Sequence, residues 1–330
     1  MRRRSTLRCV SDIASMQTEL ADRMSAAFAS IAAGDGNAVQ VRASLKASRR
    51  PARPVPVGWV DERHIPGPAG PIQVRIYFPL VPGTPRERLP VLVYFHGGGF
   101  VLCDLDSHDS CCRRLANGAG AIVVSVDYRL APEAPFPAAI DDAWAATQWV
   151  AAHLAELGGD PARLVVAGDS AGGNLAAVVA MLARDRGGPA IAFQVLIYPV
   201  VDQRRKQASA SGARPAPNGT LTAAHMQWFT EQYLGREGDR TDVLASPILG
   251  DFTGLPPAHV VTGALDPLCA EGEEYAQRLQ DAGVAASVTR YEQGFHGFFN
   301  LADHLPFAAQ ASDDVCAVLR AALPEGSPCN

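Results

Sequence analysis

Ser170 lies in Gly168-Asp169-Ser170-Ala171-Gly172, preceded by the apolar run Leu164 to Val166 and followed by Leu175, Val178, Val179 and Leu182 at helical spacing. That order reads as a strand buried on both faces, a sharp turn and a helix. A serine at such a turn has its hydroxyl pushed out above the sheet, and the flanking glycines tolerate the strain and the close helix packing. Serine becomes nucleophilic only when a base takes its proton, and the base needs an acid to fix its tautomer. With this kind of turn the chain order is serine, acid, histidine, each on a loop after a strand. Of the late histidines, His259 opens a strand, His225 falls in a helix and His304 comes last. His296 follows a strand in Gly294-Phe295-His296-Gly297-Phe298, and its flanking glycines suit a loop that reaches a site. It is the expected base. The expected acid is Asp266, in Ala264-Leu265-Asp266-Pro267 after the run His259 to Gly263; its competing role is a helix N-cap. Asp251 and Asp303 are rivals, but only Asp266 sits at the carboxyl end of an expected parallel strand.

Attack on a carbonyl also needs donors for the oxyanion that develops. Gly97, Gly98 and Gly99 follow an apolar strand and can turn backbone amides outward, and the amide of Ala171 opens a helix directly after the serine. His96 precedes the glycines and reads as an anchor of the loop.

The elements that must position these groups alternate. Strands are expected at 57–65, 72–78, 91–95, 121–126, 163–168, 192–198, 258–263 and 285–291, with helices at 106–118, 137–154 and 222–234. Such alternation implies an α/β chain with a mostly parallel sheet. A further amphipathic helix is expected at 11–33, where Ile13, Met16, Leu20, Met24, Ala27, Phe28 and Ile31 recur, followed by a Pro- and Arg-rich linker at 49–56. Residues 1–56 are therefore read as N-terminal cap helices and linker, and 57–330 as the catalytic domain, with 202–240 as a second cap piece over the sheet's carboxyl edge.

Composition narrows the partners. A net charge of −5 in 330 residues gives no basic field for nucleic acid. No run of about 18 apolar residues spans a membrane. The basic start is interrupted by Ser11, Asp12 and Ser15 before a secretory core forms, and seven cysteines without a C-x-x-C pair fit neither a disulfide framework nor a zinc site. A cytoplasmic protein is expected, with no cofactor or metal. Asp104, Asp106, His108 and Asp109 read as capping and solvated residues, and Arg129 with Glu133 as an internal ion pair.

The motifs together resemble the hormone-sensitive-lipase-like bacterial carboxylesterases of the α/β-hydrolase superfamily. The likeness runs from about Pro90 to Leu301 through HGGGF at 96–100, SVDYRLAPEAPFPAA at 125–139, GDSAGGNLA at 168–176, SPILGDFTGLPP at 246–257, Asp266-Pro267-Leu268 and His296-Gly297-Phe298. It implies the α/β-hydrolase fold with a helical cap, the triad Ser170, Asp266 and His296, and an oxyanion hole of Gly98, Gly99 and Ala171 supported by Gly97. It also implies a small-molecule ester substrate with a short acyl chain; a homodimer is compatible with it. Phe100, Trp228 and Phe229 are pocket candidates, with core packing as the alternative for the last two. Cys103 replaces a common glycine and Ala270 a common aspartate. The alternatives are an amidase or other acyl hydrolase with the same triad, and a catalytically silent binding protein on the same fold.

Overall fold

The β-branched runs pair into one eight-stranded sheet in the order β1-β2-β4-β3-β5-β6-β7-β8. The strands are β1 (Trp59–Ile65), β2 (Ile72–Phe78), β3 (Leu89–Phe95), β4 (Ile122–Asp127), β5 (Gly159–Asp169), β6 (Phe193–Ile197), β7 (Ala258–Gly263) and β8 (Ala286–Tyr291). β1 and β2 are antiparallel to their neighbours, and β3 to β8 run parallel. This computed structural model describes residues 37–48, 54–80, 88–204 and 221–323. The expected helix at 11–33 and most of the polar stretch within 202–220 lie outside them.

Helices cover both faces: α1 (Ala38–Ser48), α2 (Asp109–Ala119), α3 (Ala138–Ala152), α4 (Leu154–Leu157), α5 (Ala171–Asp185), α6 (Ala223–Leu234), α7 (Cys269–Asp281) and α8 (Pro306–Ala322). Alternation along β3 shows the layering. Val91, Val93 and Phe95 face a core shared with α3, α5 and α7, while Leu92 and Tyr94 face a second core shared with α2 and α8. Each such apolar side chain removed from water stabilises the fold by about 1.5–3 kcal/mol. Among the described residues, no helix is long and apolar enough to cross a membrane.

Most expected boundaries hold within a few residues. β5 starts at Gly159 instead of 163 because Leu89 pairs with Gly159 across a register shift in the β3–β5 ladder. α2 starts at Asp109 instead of 106, because a turn closes first: Ser107 N donates to Asp104 Oδ1 at 2.9 Å. α1 falls in a stretch to which no element was assigned. It begins where Asn37 Oδ1 accepts from Gln40 N at 2.9 Å, and it buries Ala38 and Val41.

Register brings the site together. Phe95 pairs with Gly168 and Asp169 with Ile197, so the loop after β3 and the turn after β5 emerge side by side. Gly263 pairs with Tyr291, which does the same for the loops carrying Asp266 and His296.

Candidate active site

The turn after β5 is tight enough to dictate its own sequence. A Cβ on Gly172 would fall 1.9 Å from the carbonyl oxygen of Phe95, and one on Gly168 would fall 2.4 Å from Gly172. Only glycine lets α5 approach β3 this closely. Ser170 sits at φ 56, a left-handed conformation costing about 1–3 kcal/mol for a residue with a side chain. Its amide donates to Ile197 O at 2.8 Å and holds the strained residue in place.

From that position Ser170 Oγ lies 2.9 Å from His296 Nε2, and His296 Nδ1 lies 2.8 Å from Asp266 Oδ2. The second contact fixes the tautomer: Nδ1–H donates to the carboxylate, leaving Nε2 to accept the serine proton. Asp266 is fully buried, and its other oxygen accepts from Leu268 N at 2.8 Å. One oxygen of Asp266 thus faces His296 and the other closes the turn before the helix Cys269–Asp281, whose N-cap position falls to Leu268. Asp303 is engaged elsewhere, with Arg114 Nη2 and Ser110 Oγ, and Asp251 caps the exposed turn at Thr253.

The loop after β3 carries Gly98 at φ 116, Gly99 at φ 62 and Phe100 at φ 63. The amides of Gly98 and Gly99 make no hydrogen bond to another described residue. Ala171 is the first residue of α5, so its N–H has no intrahelical acceptor. Gly97, expected in a supporting role, donates its amide to Asp169 Oδ1 at 3.0 Å. His96 is fully buried, stacked on Tyr128 at 4.4 Å, with Nδ1 2.8 Å from Gly97 O. Burial, with His108 nearby, lowers its pKa to about 4, so it is neutral and serves as the expected anchor.

A family model described as alpha/beta hydrolase fold matches residues 92–300, the stretch that holds every one of these groups. The chain belongs to the hormone-sensitive-lipase-like family of α/β-hydrolases. It is 43% identical over 295 residues to carboxylesterase NlhH of Mycobacterium tuberculosis, covering 88% of this chain and 91% of that one. It is 40% identical over 232 residues to an ethyl acetate hydrolase of Pseudomonas putida, covering 70% and 72%. Among solved structures, a hyperthermophilic esterase from Pyrobaculum calidifontis superposes with a TM-score of 0.77 at 47% identity, covering 81% of this chain and 86% of that one. An ester hydrolase from the Lake Arreo metagenome gives 0.82 at 43%, covering 92% and 98%.

In this α/β-hydrolase the helix α6 packs on the glycine loop. The Phe229 ring lies against Gly99, where a Cβ would fall 2.2 Å from it, and Trp228 meets Phe229 edge-on at 5.1 Å. Phe100, expected in the pocket, is instead buried and stacked on Tyr233 at 3.8 Å. The expected Arg129–Glu133 pair does not form. Arg129 takes Asp142 at 2.8 Å and Glu133 takes Arg42, both partners lying on helices. Cys103 occupies φ 72, a conformation that glycine would accept without strain.

Next to Ser170 of this hydrolase, around Asp169, lies a polar cluster that the sequence does not announce. Asp169, almost fully buried, accepts from Tyr94 OH at 2.8 Å, Gly97 N at 3.0 Å and Asn300 Nδ2 at 3.0 Å, with His108 Nε2 3.1 Å away. His108, expected to be solvated, is buried. Ser107 Oγ donates to Asp104 O at 2.6 Å and lies 2.8 Å from His108 Nδ1. Burial pushes Asp169 upward, but His108 and the hydrogen bonds from His108, Tyr94 and Asn300 outweigh it and hold the pKa at about 2. The carboxylate thereby joins the glycine loop, the serine turn and the base loop. Asp169→Ala is expected to destabilise the fold by about 3 kcal/mol in urea unfolding at pH 7, because it strands several buried donors. A loss below that of one ordinary hydrogen bond, about 1 kcal/mol, would show the cluster to be structurally idle.

Proposed function

We propose that this chain is a serine carboxylesterase acting on short- to medium-chain acyl esters through an acyl-enzyme. The observation carrying the proposal is the unbroken relay of Ser170, His296 and Asp266 at 2.9 and 2.8 Å. Ser170 Oγ attacks the ester carbonyl as His296 Nε2 takes its proton. The tetrahedral oxyanion forms beside the amides of Gly98, Gly99 and Ala171. Each such donor is worth about two to three orders of magnitude in rate. Asp266 stabilises the imidazolium, which then passes its proton to the departing alkoxide. Water repeats the cycle on the acyl-enzyme and frees the acid and Ser170. All of this uses protein groups, with no cofactor.

The names of relatives support an ester as substrate, the ethyl acetate hydrolase a short one. The same proposal assigns residues 1–56 and 202–240 to a cap over a catalytic domain at 57–330, supported by the contacts of α1 and α6 with the glycine loop. Cytoplasmic residence belongs to it too, supported by the thiol form of Cys111, Cys112, Cys269 and Cys316 among the described residues.

A panel of p-nitrophenyl esters tests the chain-length claim. With Phe229 and Trp228 closing the space beside Gly99, butyrate and hexanoate are expected to turn over at least about tenfold faster than laurate. No activation at an oil–water interface is expected. Faster hydrolysis of emulsified long-chain triglyceride than of dissolved butyrate ester would refute it. An aryl amide beside the esters separates the amidase alternative.

A further inference from the structure

The glycine loop is strained along its length, with positive φ at Gly98, Gly99, Phe100 and Cys103, two of which carry side chains. Strain of this kind persists only where the surroundings over-determine the conformation. The loop closes on itself first: Val101 N and Leu102 N donate to Gly98 O at 3.1 and 2.8 Å. A second strand of support is the segment after β4, where Ala131 N donates to Phe100 O at 2.8 Å.

The carbonyls left on these two segments converge on one side chain from outside the sheet. Arg42, on α1, donates from Nε to Val101 O at 2.8 Å and from Nη2 to Ala131 O at 3.0 Å, while Nη1 donates to Glu133 Oε1 at 2.9 Å. Val101 and Ala131 are buried, so their carbonyls would otherwise face an interior with few donors. Glu133 is half-exposed, and water screens that ion pair to a minor stabiliser. Its role is to orient the planar fork toward the two carbonyls, a geometry an ammonium cannot match.

We infer that Arg42 is a positioning residue for the oxyanion hole, a clasp that makes the aim of the Gly98 and Gly99 amides depend on docking of the N-terminal helix α1. This rests on the esterase reading for its kinetic consequence, though not for its structural one. The clasp grips the chain three residues past Gly98, through a side chain of α1 that hydrogen-bonds both segments holding the loop. The buried side chains of Ala38 and Val41 seat the helix, and Arg42 converts that seating into loop geometry.

The test uses the full chain and three variants, Arg42→Ala, Arg42→Lys and Glu133→Gln. Turnover of p-nitrophenyl butyrate, the inhibition constant of an aryl trifluoromethyl ketone and amide exchange at residues 97–103 are measured for each. The ketone adds to the serine and leaves an oxyanion in the hole, so it reports the aim of the donors. Arg42→Ala is expected to lower kcat by about tenfold to a hundredfold with KM within about twofold, and to weaken the ketone by the same factor. Residues 97–103 should exchange faster, and millimolar ethylguanidinium should restore part of the turnover. Arg42→Lys should resemble Arg42→Ala, and it substitutes if the alanine variant does not fold. Glu133→Gln should keep most of the wild-type kcat. Exchange at residues 97–103 that stays at the wild-type rate, or a kcat within about twofold of wild type, overturns the clasp. So does a fall in kcat matched by a rise in KM with no change in ketone affinity, the pattern of general loosening. If the wild-type chain hydrolyses no ester, the esterase reading fails, and the exchange data alone decide the clasp.

Discussion

Ser170→Ala is expected to abolish ester turnover, by about a millionfold, while leaving the chain folded. The Ser170 backbone is held at φ 56 by the contact of its amide with Ile197 O, and alanine keeps that amide. Among the described residues, the hydrogen-bond partner its hydroxyl loses is His296 Nε2, 2.9 Å away. The oxyanion donors and the binding surface remain, so a residual rate above that in water is expected, as in other triads with one member removed. Circular dichroism and thermal melting should match the wild type. A fluorophosphonate probe should label the wild type at Ser170 and leave the variant unmodified. Labelling of Ser170→Ala at the wild-type rate would mean that the nucleophile is another residue.

The parts of this site that were legible in the sequence are those fixed by local rules. A β-branched run broken by glycines and resuming as a small-residue helix has few other solutions, because β3 passes close enough to forbid a Cβ at Gly172. The positions of Asp266 and His296 follow from topology, since the carboxyl ends of parallel strands meet at one edge of the sheet. What was missed depends on distant partners. Glu133 was paired with Arg129 by closeness in sequence, yet its partner, Arg42, lies on α1, a helix that spacing alone did not mark. His108 is expected to be solvated from its acidic neighbours, but those neighbours take other partners: Asp106 reaches Arg75, and Asp109 reaches Arg113 and Tyr77. The histidine between them is pressed against Asp169. The supporting role of Gly97 is given by the resemblance alone, because its partner, the Asp169 carboxylate, is set by the fold of the turn after β5.

These misses lie on one physical theme, the rigidity of the glycine loop. From below, Asp169 takes the Gly97 amide and links it through Asn300 to the segment after His296. From the side, Arg42 takes the carbonyl of Val101. From above, the Phe229 ring closes on Gly99. Donors fixed before the substrate arrives cost no reorganisation when the oxyanion forms, which is why such preorganisation dominates electrostatic catalysis. The strain recorded at Phe100 and Cys103 is the local counterpart of that fixation.

The second large effect is expected at Asp266. Asp266→Asn preserves the shape of the side chain, and its carbonyl can still accept from Leu268 N, as Oδ1 does at 2.8 Å in the parent chain. The amide nitrogen then faces His296 Nδ1, where the carboxylate stood at 2.8 Å. An amide N–H donates to a lone pair on Nδ1, so the imidazole proton moves to Nε2, the atom that must accept from Ser170. Histidine in that tautomer is no base toward the serine. The expected cost is about ten-thousandfold in kcat, with circular dichroism unchanged. Asp303 provides the control, because its carboxylate is committed to Arg114 and Ser110 on α2. Asp303→Asn keeps Oδ1 as acceptor for Arg114, turns an amide N–H toward Ser110 Oγ, and removes only a partly exposed ion pair, worth under about 1 kcal/mol, so its kcat should stay near that of the parent. Both variants are compared by turnover of a soluble butyrate ester at the same pH. Were Asp303→Asn the more damaging of the two, the acid role would pass to Asp303, and the Asp266 carboxylate would be left as the cap of the turn into α7.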